Sequence, residues 1–251
     1  MGTTRNKRVA AIAVAALLPS IVTWAYFHLL AESPSIVQQS TYAVGKLLQF
    51  GFPIFWVAMI AKELGRTGIQ AVPPIQTATV WTTRKNILLG CVLGLLICLA
   101  MMGVYWFVLD DSVRSGLQAQ VADRIRGLSL ASWQSYLGLS LFYALVHSLL
   151  EEYYYRWFIY GQLRQVSRMP VAALVSGLAF MAHHVIVLAQ YFGNTLLTAF
   201  LSLSIMVGGV IWAWQYERSR SLLGPWLSHA VVDAGIFAIG YFALRAAGVM
   251  E

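Results

Sequence analysis

Leu149-Leu150-Glu151-Glu152-Tyr153-Tyr154-Tyr155-Arg156-Trp157-Phe158-Ile159-Tyr160-Gly161-Gln162-Leu163-Arg164 is the stretch on which the reading of this chain turns, because two carboxylates and a guanidinium interrupt an apolar run. On insertion scales each central Glu or Arg costs about 2.5–3.5 kcal/mol in a bilayer, so such a group needs a partner or a task. A helix turning about 100° per residue puts Glu152 and Arg156 one turn apart on one face, where they can pair. Glu151 points about 100° away, toward a different cavity, and the two glutamates are expected to have different roles. The alternative is a short break between two spans, with both glutamates among lipid headgroups.

Composition supports the membrane reading. The 251 residues are 59% hydrophobic and only 11% charged, with a mean hydropathy of +0.68, outside the range of soluble globular chains. The formal charge of +7 comes from Lys and Arg scattered through short connections rather than gathered on one face, so nucleic acid is not an expected partner. Cys91 and Cys98 lie in one apolar run, about 10 Å apart along a helix axis, too far for a disulfide, and read as packing residues.

Outward from the central stretch, seven spans are expected: Val9 to Ala31, Tyr42 to Ala61, Ile87 to Leu109, Trp133 to Leu163, Pro170 to Tyr191, Thr195 to Trp214, and Leu222 to Arg245. The first is too long for a signal-peptide core and is read as an anchor. Ser33 to Ser40 reads as a loop, and Ser112 to Ser129 as an amphipathic helix on the outer surface. Basic residues fall consistently on one side: Arg5, Lys7 and Arg8; Arg66, Arg84 and Lys85; Arg164 and Arg168; Arg218 and Arg220. This places the N-terminus in the cytoplasm. The expected fold is an all-α polytopic transmembrane helical bundle of seven to eight spans. It forms one integral membrane domain, with residues 1–132 as N-terminal spans and surface segment and residues 133–251 as the helical core that holds the out-of-place charges.

Polar residues on three apolar helices form the candidate site: Glu151, Glu152 and Arg156; His184, with His183 beside it; and His229 with Asp233. His28 and His147 read as satisfied core histidines. His229 and Asp233 are one turn apart, so the carboxylate can orient the imidazole. A Glu in apolar surroundings is a stronger base and suits activation of water. A histidine from another helix can stabilise the oxyanion formed when a peptide carbonyl is attacked, worth about 2.7–4 kcal/mol for one well-placed donor. These are the parts of a hydrolase. Zinc would accept three such ligands and a water, although the His-Glu-x-x-His pair is absent; no cofactor is expected, and zinc is the alternative.

These residues resemble the CAAX protease and bacteriocin-processing (CPBP, or Abi) family of intramembrane glutamic-type endopeptidases. The first motif stands as Glu151-Glu152-Tyr153-Tyr154-Tyr155-Arg156, the second as Phe180-Met181-Ala182-His183-His184 with Ser176 one turn earlier, and the third as His229-Ala230-Val231-Val232-Asp233 after Ser221-Leu222-Leu223-Gly224-Pro225. The resemblance covers roughly Trp133 to Tyr241 and implies a core like that of the type 2 CAAX prenyl proteases. It implies Glu151 as general base, His184 holding the water, His229 and Asp233 on the oxyanion side, and Arg156 bracing Glu152. Asp233 stands where the prenyl-protein proteases have Asn, so it would act protonated or through His229. The implied activity is hydrolysis of a peptide bond in a membrane-associated, prenylated or leader-type polypeptide. The partners are then that polypeptide and the lipid bilayer. Chain length and the economy of its loops point to a bacterial inner membrane. The alternatives are a catalytically inactive scaffold or immunity protein, a carrier using the same polar cluster, and a zinc-dependent membrane protease.

Overall fold

The computed structural model describes residues 2–60, 81–128, 130–193 and 195–250, all of whose regular structure is helical. The helices are α1 (Gly2–Trp24), α2 (Ser35–Phe55), α3 (Thr83–Gly103), α4 (Asp111–Gly127), α5 (Trp133–Leu141), α6 (Ser148–Glu152), α7 (Gly161–Arg164), α8 (Met169–Phe192), α9 (Leu196–Ser219) and α10 (Leu223–Ala246). Wider π turns extend α1 over Ala25–Leu29, α2 over Trp56–Ile60 and α3 over Val104–Val108, and two more, Phe142–His147 and Tyr153–Tyr160, flank α6.

Among the described residues, five helical segments are long and apolar enough to cross a membrane: Arg5–Leu29, Thr83–Val108, Met169–Phe192, Leu196–Ser219 and Leu223–Ala246. They correspond to five of the expected spans and mark an all-α integral membrane protein. The expected spans at 42–61 and 133–163 are helical where described but do not join that set by apolarity alone. In the latter, Glu151, Glu152 and Arg156 dilute the run. The basic loop containing Arg66, Pro73 and Pro74, and the ends of the second span and of the surface helix at Ala61 and Ser129, lie outside the described residues.

Helix starts follow local chemistry. The hydroxyls of Thr82, Ser132 and Thr195 and the carboxylate of Asp110 each accept from the backbone N–H three residues on, capping α3, α5, α9 and α4. The expected loop from Ser33 to Ser40 is shorter than foreseen, because α2 starts at Ser35 directly after Pro34. Gln38 secures that start by donating to the carbonyl of Tyr26 at 2.9 Å. At the far end of α8, Gly193 adopts φ 65°, a left-handed geometry that suits glycine.

The described chain forms two compact units. One comprises Met1–Val80 and Glu152–Arg220 and the other Trp81–Glu151 and Ser221–Glu251. In the second unit α3 and α10 meet at backbone distance. A Cβ on Gly90 would run into the carbonyl of Gly224, and one on Gly94 would lie 2.8 Å from the Ser228 carbonyl oxygen. Gly90-x-x-x-Gly94 is thus a small-residue seam, the means by which apolar helices approach where lipid removes the hydrophobic incentive. Gly235 receives Cys98, and both cysteines are free, as expected. The amphipathic α4 packs Ala122 and Ile125 with Tyr136 and Leu244.

In the first unit, α8 and α9 approach through Gly177 and Gly209, a Cβ on Gly209 standing 3.1 Å from Gly177 Cα. Tyr154, Tyr155, Phe158, Ile159 and Tyr160 are fully buried there, so these aromatics serve packing rather than a membrane-surface belt. Tyr154 donates to the carbonyl of Ala15 at 2.8 Å and Tyr160 to Glu217 at 2.6 Å.

Candidate functional site

Glu151 ends the α6 portion of the second unit, its side chain only 3% exposed. Its Oε1 lies 3.5 Å from His147 Nε2 and its Oε2 lies 3.7 Å from His229 Nε2. His229, on α10, places the same Nε2 3.6 Å from Asp233 Oδ1. The expected Asp–His pairing one turn apart is therefore present. The ring, however, turns one nitrogen toward both carboxylates rather than giving one nitrogen to each. These are ion-pair distances, longer than an ordinary hydrogen bond.

Glu152, one residue on, belongs to the first unit. Arg156 Nε stands 3.1 Å from Glu152 Oε2, and both side chains are 0% exposed. The guanidinium also lies over the rings of Phe180 at 4.6 Å and Trp212 at 5.1 Å. A planar, weakly hydrated cation is suited to such faces, and the aromatic clamp with the carboxylate offsets the cost of burial. The two glutamates stand in different surroundings: Glu152 is ion-paired with a guanidinium, and Glu151 stands between two imidazoles. The turns from Tyr153 to Tyr160 are π rather than regular α. The uniform 100° step assumed from sequence does not hold through Arg156, and such widened turns recur at functional sites.

Phe180 connects that clamp to the two histidines of α8. His184 Nδ1 is 2.8 Å from the carbonyl of Phe180, so Nδ1 carries the proton and donates, which makes Nε2 the acceptor of the neutral ring. His183 is buried, with Nδ1 3.0 Å from the hydroxyl of Tyr155. Ser176, one turn earlier, donates to the carbonyl of Tyr155 at 3.1 Å, bracing the π segment. Glu152, Arg156 and His184 thus share one unit, and Glu151, His229 and Asp233 the other.

His147 is the residue that sequence reasoning set aside as core. The signal was its position four residues before Glu151, the spacing used for the other pairs.

Residues 133–235 match the family model described as Type II CAAX prenyl endopeptidase Rce1-like. No curated protein and no solved structure matches the chain. The matched stretch begins at the first residue of α5, ends within α10 and contains all six residues expected to act. It supports a peptidase that works in a membrane. Over residues 133–235 the chain is thus similar to the Rce1-like type II CAAX prenyl endopeptidases, a group of the CPBP family.

Proposed function

We propose that this protein is an intramembrane endopeptidase in which Glu151 activates water against a peptide bond of a membrane-associated, prenylated or leader-type polypeptide. The observation that carries the reading is the buried Glu151 carboxylate with an imidazole beside each oxygen. In the proposed reaction, water oxygen bonds to the carbonyl carbon as Glu151 takes a water proton. The oxyanion is met by His229, with Asp233 holding that ring; the family resemblance gives His184 the part of holding the water. On collapse the C–N bond breaks, and the proton on Glu151 passes to the leaving nitrogen. Glu152 and Arg156 touch no reacting atom and brace the helix.

The test compares wild type with Glu151→Ala on a quenched peptide library, with and without a chelator, after confirming equal folding. Cleavage by wild type alone, unaffected by chelation, supports the glutamate reading. Loss on chelation that zinc restores would replace it with a metal-assisted one. Equal cleavage by Glu151→Ala would sink both. No cleavage by either protein moves the weight to an inactive scaffold.

The proposed setting is a bacterial inner membrane; the cytoplasmic N-terminus is read from the distribution of Arg5, Lys7, Arg8, Arg164, Arg168, Arg218 and Arg220. Labelling of cysteines introduced at Arg5 and at Arg218 from one side of sealed vesicles checks the orientation; labelling from opposite sides would refute it.

A further inference from the structure

We propose that His147 is a positioning residue for Glu151, its Nε2–H holding Oε1 so that the carboxylate presents one fixed orientation to water. The proposal rests on the reading of Glu151 as the base. His147 closes the π segment Phe142–His147, and α6 begins at the next residue. Helical side chains lean toward the N-terminus, so Glu151 reaches back over His147. The separation from Nε2 to Oε1 is 3.5 Å, and the His147 side chain is 15% exposed.

The imidazole is itself held. Its ring centroid is 4.8 Å from that of Tyr143, and Tyr143 packs 5.5 Å from Phe237 of α10. Phe237 follows Asp233 by one turn on the helix that supplies His229. Within this unit the titratable groups around the contact are Tyr143, Glu151, His229 and Asp233. A carboxylate has a soft terminal torsion with two equivalent oxygens. With His147 beside Oε1 that torsion is restricted, and the base is pre-aligned rather than ordered at each turnover.

His147→Phe and His147→Gln separate this role from packing alone. Phe keeps the ring on Tyr143 and removes the donor; Gln gives up the ring but carries an amide N–H at the reach of Nε2. The expected result is a fall in kcat of about tenfold or more for His147→Phe with KM nearly unchanged, and recovery of most of that loss by His147→Gln. The carboxylate stretching band assigned by Glu151→Gln should shift in His147→Phe and return in His147→Gln, a readout that needs no substrate. Full kcat and an unmoved band in His147→Phe would overturn the proposal. Equal loss in both variants would also overturn it, pointing to proton transfer by the imidazole or to loss of fold, which their melting temperatures distinguish. Chelator-sensitive activity restored by zinc would overturn the proposal together with the reading of Glu151 as the base. Activity retained by Glu151→Gln sinks the reading of Glu151 itself, a result distinct from any obtained at His147.

Discussion

Arg156 Nε lies 3.1 Å from Glu152 Oε2, with neither side chain exposed. Removing one member of such a pair strands a buried charge, whereas removing both does not. Arg156→Met should therefore destabilise by about 3–5 kcal/mol. The double variant Glu152→Gln, Arg156→Met should recover much of that, as read from thermal melts in detergent. A double variant no better than the single would mean that the aromatic clamp, not the ion pair, holds the helix.

Gly90 and Gly103 lie on the same helix α3 in opposite circumstances. A Cβ at Gly90 meets the Gly224 carbonyl, while one at Gly103 meets nothing within 4 Å. Gly90→Ala should lower the melting temperature because backbone has to move. Gly103→Ala should be neutral or raise stability by up to about 1 kcal/mol through helix propensity. Equal effects would disprove the close approach of α3 and α10.

Asp233 tests the proposed oxyanion side. Asp233→Asn keeps an oxygen for the His229 ring and adds a neutral donor, so cleavage should stay within about tenfold of wild type. Asp233→Ala should lose about a hundredfold or more in kcat. Equal losses would show that the charge of Asp233, rather than its hydrogen-bonding shape, is what matters.

Asp110 caps α4, accepting from Val113 N–H at 2.9 Å and from the Ser112 hydroxyl at 2.7 Å. The backbone N–H of Val113 first, then the Ser112 hydroxyl, holds its pKa below the ordinary Asp value. A carboxylate so lowered stabilises the folded form above its unfolded pKa, and the contribution is lost as pH falls through the folded value. The first turn of α4 should open in strong acid before the rest of the helix, seen as faster proteolysis near Ser112. Asp110→Ala should show the same opening at neutral pH.

Much of the candidate site was legible because its signals are local. Charges in an apolar run are costly wherever the chain folds, and the spacings Glu152 to Arg156 and His229 to Asp233 already put each pair on one helical face. His147 was passed over because a lone histidine is ordinary. Its place four residues before Glu151 gained weight only once the side chains stood 3.5 Å apart. The Gly90-x-x-x-Gly94 seam was likewise written in the chain, but which backbone it meets was not.

By itself, the sequence determined that this is an all-helical membrane protein and which carboxylates and imidazoles are out of place in it, since hydropathy, caps and helical spacing act over a few residues. Only the tertiary structure decided that Arg156 lies over Phe180 and Trp212, that one nitrogen of His229 faces both Glu151 and Asp233, and that π turns flank α6. These depend on how distant helices meet and on where the backbone widens to let them. Such packing is set by side chains far apart in the chain, and no local pattern encodes it.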